Sequence, residues 1–212
     1  MSGMGRLHRQ PMVALIDDIA SERLAEGDWL PKEVDIARRF AVSRGVAREC
    51  IRALEERGLV CVRHGRGAAV ASAASWDALD PDVLAALLVG PNGATVLREL
   101  IECQTLVEAE AVPLAAARAG RETAIRLAAA AARMAGASGT SALAARRFAD
   151  AELGFHRTLV AATGNRALDR LARSLDHALH TARLVAGTDH ATRAAAAAEH
   201  RRIAATVRMG AS

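Results

Sequence analysis

Aromatic residues make up only 2% of the 212-residue chain, and tyrosine is absent altogether. An interior so poor in rings must be built from Ala, Leu and Val. Alanine in such quantity, with few β-branched runs, favours helices packed closely through small side chains. Cysteine is scarce as well. Cys50, Cys61 and Cys103 are too few and too scattered for a disulfide framework or a cysteine metal site. No apolar run approaches the ~20 residues that cross a bilayer, and the start MSGMGRLHRQ lacks the apolar core of a secretory leader. A cytoplasmic protein with no membrane partner is expected. What is present is 51% apolar content, too much for a disordered chain, and a net charge of +4 that is unevenly placed. Between Lys32 and Arg66 stand nine basic and five acidic residues, a surplus equal to that of the whole chain. A basic patch inside one folded segment points to a polyanionic partner there.

The periodicity of the first seventy residues gives that patch a shape. Residues 12–26 read as a helix with Ile16, Ile19, Ala20 and Leu24 on one face and Gly27 beyond its end. After the turn DWLP, a second helix over 33–40 buries Ile36, Ala37 and Phe40. The stretch FAVSRGVARECIRALEERGLV then carries two stripes. Ala47, Cys50, Ile51 and Leu54 have core-facing spacing, while Arg44, Arg48 and Arg52 recur every four residues on another face. Ser43 is placed to cap this helix and Gly58 to stop it. Val60 and Val62 alternate as a strand, residues 64–67 form a glycine-containing turn, and 68–70 return. An arginine row alone is usually a solvated surface. Here the order of helix, helix, helix and hairpin makes a winged helix-turn-helix, whose second motif helix enters the DNA major groove by its N-terminal half. Arg44 and Arg48 lie in that half, suited to guanine edges or phosphates, and Arg52 lies further out. Gly45 removes a side chain where the helix meets the DNA backbone, and His64, Gly65 and Arg66 suit the minor groove or phosphates at the wing tip.

These residues carry a family resemblance. Leu30-Pro31-Lys32-Glu33, Val42-Ser43-Arg44, Arg48-Glu49, Leu54-Glu55, Gly58-Leu59-Val60 and the Gly65-Arg66-Gly67 wing resemble the DNA-binding domain of GntR-type bacterial transcription regulators. The resemblance implies that Arg44, Arg48, His64 and Gly65 contact operator DNA, with Glu33, Ser43, Gly45 and Arg66 completing the DNA-facing set. Gly45-Val46-Ala47 departs from the family, which more often has Thr or Pro and then a larger apolar residue; this bears on sequence preference.

The rest is helical by every local signal. Residues 72–79 read as a linker between a domain over 1–71 and another over 80–212, with Asp80-Pro81 opening a helix. Long helices are expected near 95–119, 122–135, 141–163, 165–186 and 188–209, punctuated by glycines, with Pro113 inside the first. The fold class is therefore mostly α, a winged helix followed by a helical bundle. In the bundle no phosphate loop, HExxH or nucleophile elbow appears. Glu152 and His156 stand four apart on one helix, and His200 lies on the last. By spacing alone these read as a surface ion pair and a lone helix histidine, although an i, i+4 carboxylate–imidazole pair also suits a divalent metal.

Here too a resemblance adds a reading. Trp76, Leu79-Asp80-Pro81, Val83-Leu84, Glu108, Leu114-Ala115-Ala116, Phe155-His156, Thr163-Gly164-Asn165 and Glu199-His200 resemble the FCD effector domain of the FadR-type branch. This implies a homodimer whose bundle senses a small carboxylate beside a divalent metal, held in many such domains by an Asp and three His. Glu152 stands for the Asp, and His156 and His200 for two of the His; zinc, nickel or manganese would suit these donors. Gln104, where the family usually has Arg, and Asn165 are the expected effector-side residues. Family members continue through another helix bearing the last His, whereas this sequence ends in VRMGAS. His177 and His180 are the nearby alternatives. WDALDPDVL resembles the subgroup that answers to sugar acids. The expected function is thus an operator-binding regulator, a repressor released by its effector. The rivals are a regulator that binds DNA without sensing and, well behind, a hydrolase using Glu152, His156 and His200 to activate water.

Overall fold

A computed structural model describes residues 9–63, 65–137, 139–187 and 189–211. It divides into two compact units, the first ending at Gly93 and the second beginning at Ala94. The first unit contains α1 (Arg9–Ala20), α2 (Glu33–Phe40), α3 (Arg44–Glu56), β1 (Val60–Arg63), β2 (Gly67–Val70), a short 3-10 turn at Ala73–Ser75 and α4 (Pro81–Val89). Leu15, Ile16, Ile19, Ile36, Ala47, Cys50, Leu54 and Leu59 form its core, all essentially inaccessible. Ser43 accepts a hydrogen bond from the Val46 amide at 3.2 Å and so caps α3. Between α2 and α3 the chain reverses through Ala41 at φ 52, and the Val42 amide returns to the Ala37 carbonyl at 3.0 Å. That is a left-handed helix end of the Schellman type, here without glycine. Gly58 ends the α3 segment at φ +71, and a Cβ there would lie 1.9 Å from the Ser75 carbonyl oxygen.

Three features differ from expectation. The first helix stops at Ala20, not near residue 26, because Glu22 adopts φ 61. Leu24 nevertheless packs on the core from beyond the helix end. The stretch DWLP is more than a turn: Trp29 bridges Ala69, and Leu30 donates to the Ala68 carbonyl at 2.8 Å, so residues 28–30 extend the β1–β2 hairpin. Residues 72–79 and α4 lie within this first unit. Val83 and Ala86 join its core, Arg57 donates to Asp80 at 3.0 Å, and Asp80 caps α4 through the amides of Asp82 and Val83. A fragment ending at Gly93 should therefore melt cooperatively. One ending at Ser75 loses the fully buried Val83, worth about 2 kcal/mol, together with Trp76 and the Arg57–Asp80 pair. Thermal denaturation of the two fragments should separate their midpoints by roughly 10 °C or more. Equal midpoints would show that α4 adds nothing to the winged helix.

The second unit is built from α5 (Gly93–Arg118), α6 (Arg121–Gly136), α7 (Ala142–Ala162), α8 (Arg166–Ala186) and α9 (His190–Gly210). These boundaries lie within about three residues of those expected, and the chain is mostly α as the sequence indicated. Helix α6 packs against both α7 and α9, and α8 packs against α7. The alanines do what their number implied: Ala111, Ala115, Ala130, Ala131, Ala197 and Ala204 are buried at helix contacts around Phe148 and Phe155. Small side chains bring backbones together, and at Gly210 a Cβ would stand 2.3 Å from the Ala116 carbonyl oxygen. Helix α5 runs on through Pro113. No helix among the described residues is long and apolar enough to cross a membrane.

Candidate nucleic-acid interface and effector-domain site

The N-terminal half of α3 presents Arg44, Gly45 and Arg48 to solvent. Arg48 is held by Glu33 at the start of α2 through two hydrogen bonds, Nε to Oε1 at 3.1 Å and Nη2 to Oε2 at 3.2 Å. A forked guanidinium–carboxylate pair of this kind fixes the plane of the side chain. The pair is solvent-exposed, so exchanging Glu33 for another acceptor costs little. Arg52 faces Glu56 at 3.3 Å on the distal half. At Gly45 an added Cβ would meet only the Ser43 hydroxyl, at 3.7 Å. Packing within the protein thus does not require glycine there. At the wing, Gly65 and Gly67 take φ +74 and +111, values that favour glycine, and Arg66 is exposed between them. His64 lies outside the described residues.

In the helical unit, α5, α7 and α9 bring together Glu108, His156 and His200, whose ligand atoms all lie within 4.8 Å of one another. Both histidines are buried. The Nδ1 of His156 donates to Glu108 at 2.6 Å, and the Nδ1 of His200 donates to the Ala196 carbonyl at 2.7 Å. Each ring is thereby oriented with its Nε2 inward, and the two Nε2 atoms stand 3.1 Å apart. Two lone pairs at that distance repel unless a proton or a cation lies between them. Burial, with the adjacent His156 charge, pushes His200 down to about 4, so it stays neutral. Burial alone would raise Glu108, but the His156 hydrogen bond and charge outweigh it and leave the carboxyl below its usual range.

Glu152, expected beside His156 as the carboxylate ligand, is engaged elsewhere. Its carboxylate pairs with Arg183: Nη2 donates to Oε1 at 2.8 Å, while Nε lies 2.6 Å from Oε2 as a charge contact that leaves Oε2 without a hydrogen bond. Burial holds it above the ordinary carboxylate range despite the Arg183 charge. Glu108 takes the place beside the histidines instead. It reaches them from a distant helix, so no local spacing could reveal it, and the same holds for Arg183. Gln104 accepts from Arg183 at 3.4 Å. Asn165 does not line this region. Its Oδ1 caps α8 through the amides of Ala167 and Leu168, both at 3.1 Å. Asparagine at a helix start is the local signal for that role. His180 pairs with Asp150 at 2.9 Å, and neither His177 nor His180 belongs to the cluster among the described residues. Against the Glu152–Arg183 pair lies a cleft of about 280 Å³, lined by apolar Leu97, Ile101, Phe148 and Ala196 and by charged Asp189 and Arg193.

Comparison with known proteins accounts for both units. The profile "Bacterial regulatory proteins, gntR family" matches residues 12–70, and that of the FCD domain matches residues 99–212. An uncharacterised helix-turn-helix transcriptional regulator of Mycobacterium tuberculosis is 33% identical over 173 residues, covering 82% of this chain and 68% of the relative. The galactonate operon transcriptional repressor of Escherichia coli is 32% identical over 108 residues, covering 51% of this chain and 47% of the repressor. Among solved structures, that of Lar, which controls expression of the Listeria monocytogenes agr system, matches with TM-score 0.52 at 18% identity. The match covers 96% of this chain and 95% of that one, a likeness of fold.

Proposed function

Since the chain belongs to the gntR family of bacterial regulatory proteins and carries an FCD domain, it is a transcription regulator and not an enzyme, and we propose that it is an operator-binding repressor. Its winged helix acts as a pair in a homodimer, because one recognition helix reads only a few base pairs and two half-sites multiply specificity. Arg44 and Arg48 read base edges or phosphates, with Glu33 presenting Arg48. Gly45 allows close approach, Ser43 caps the helix, and His64, Gly65 and Arg66 serve the wing. The observation that carries this reading is the exposed arginine face at the capped N-terminus of α3. The helical unit answers a small carboxylate, and the galactonate repressor among the relatives supports the sugar-acid class. His156 and His200 would hold a divalent metal, completed by Glu108 or Glu152. The donor set suits it: nitrogens each about 2.05 Å from a tetrahedral zinc stand roughly 3.3 Å apart, close to the 3.1 Å between the two Nε2 atoms. Both rings are also anchored through their far nitrogens, as metal-binding histidines usually are. Such an ion supplies positive charge that attracts and orients a carboxylate.

The function is tested by selecting DNA from a random pool with the purified protein, then titrating zinc and galactonate into the complex. Enrichment of a two-fold symmetric sequence, with release by the carboxylate, is expected. Recovery of unrelated fragments with no shared motif would overturn the operator reading, and a complex indifferent to both additions would overturn effector sensing.

A further inference from the structure

We propose that Glu152 is an exchangeable counter-ion of Arg183: it passes to a metal held by His156 and His200, and Arg183 then takes the carboxylate of a small ligand in the adjoining cleft. This rests on the metal and effector reading above and adds how the two ligands are coupled. Arg183 and Glu152 are an ion pair joined by one hydrogen bond, Nη2 to Oε1, and their side chains are only 18% and 3% exposed. Glu152 stands one helical turn before His156 on α7, and the cleft wall residue Ala196 one turn before His200 on α9. The ion pair therefore lies between the histidines and the cleft.

A second observation points to a ligand on this side. Gln104 is 8% exposed, its Oε1 accepts from Arg183, and its Nε2 is buried without a hydrogen-bond partner. A buried amide donor left unmade costs free energy, and an acceptor arriving beside Arg183 can satisfy it.

Charge balance links the events. In the metal-free protein Glu152 and Arg183 neutralise each other. A divalent ion held by His156 and His200 would add positive charge one turn from Glu152, whose carboxylate would then turn toward the histidines. Arg183, a nearly buried cation, then loses the carboxylate bonded to it, a costly change that the more distant Glu108 and Asp189 offset only in part. A ligand carboxylate restores the balance, and it can take both donors of the planar guanidinium, which Glu152 meets through one hydrogen bond only. Metal and carboxylate should accordingly favour one another, each by the same factor.

The test uses the full chain, with zinc as the metal and acetate as the minimal carboxylate, reading zinc affinity by competition with a chromogenic chelator. Arg183→Gln removes the competitor for Glu152 and should tighten zinc about tenfold, within the usual range of site-to-site coupling. Glu152→Gln should weaken it. Acetate should tighten zinc severalfold on the wild type and leave Arg183→Gln unmoved. The double variant Glu152→Gln/Arg183→Gln removes the pair together, which buried pairs tolerate better than loss of one member. It should bind zinc like Glu152→Gln, with no response to acetate. Circular dichroism identifies any variant that fails to fold, and the double variant then carries the comparison. Zinc binding unchanged or weakened in folded Arg183→Gln, or an acetate effect that persists in the double variant, would overturn the exchange while leaving the metal reading intact. A wild type that binds no zinc would overturn both.

Discussion

Arg48→Ala is expected to weaken operator binding on the order of ten- to a hundredfold, and to flatten discrimination between operator and random DNA. The expectation follows from geometry. The guanidinium emerges from the N-terminal half of α3 and is held in a defined plane by Glu33. A bidentate donor so presented matches the two acceptors on a guanine edge, which a truncated side chain cannot replace. Arg66→Ala behaves differently. At the wing tip it is exposed, and as a phosphate contact its loss should weaken specific and random DNA alike, lowering the salt slope by about one. Binding isotherms at several salt concentrations, on selected and scrambled duplexes, separate the two. If Arg48→Ala loses equally on both duplexes, its role is that of a phosphate contact and base reading belongs to Arg44 or another residue.

What could be read in advance follows the range of the interactions concerned. Helix α3 was legible because its cap, its apolar stripe and its stop all lie within sixteen residues, Ser43 to Gly58, and each acts locally. The alanine-rich helices were legible through their punctuating glycines, of which Gly139, Gly164 and Gly187 take positive φ between helices, whereas the capping role of Asn165 was not foreseen. The end of α1 was not, because Leu24 continues the apolar spacing past the helix and packs from a turn. Residues 28–30 gave no strand signal: their pairing with Ala68 and Val70 depends on a hairpin forty residues away. Asp80-Pro81 announced the start of α4, yet nothing local told which unit would bury Val83. The same limit governed the site. Spacing placed Glu152 and His156 on one helix face, while Glu108 and Arg183 compete for the roles around them from α5 and α8. Local pattern alone read the histidines as an ion pair and a lone side chain, and the family resemblance singled them out. Tertiary packing decides which carboxylate meets them.

That division gives the metal its clearest expected result. Zinc added in about hundredfold excess over its dissociation constant should stabilise the wild type by about 2.7 kcal/mol, a rise of roughly 10 °C in melting temperature for a unit of this size. His156→Ala should show no such rise. His156 is buried and donates to Glu108, so the variant will melt lower without any metal. For that reason the quantity compared is the shift on adding zinc, not the midpoint itself. His200→Gln provides a second comparison. It keeps a polar side chain beside the Ala196 carbonyl while removing the Nε2 donor, and its zinc shift should fall away too. Nickel and manganese, tested in parallel, should follow the wild-type pattern with smaller or larger shifts according to their affinity for nitrogen and oxygen donors. If zinc stabilises His156→Ala as much as wild type, the ion binds elsewhere, and the facing Nε2 atoms are held together by a proton alone.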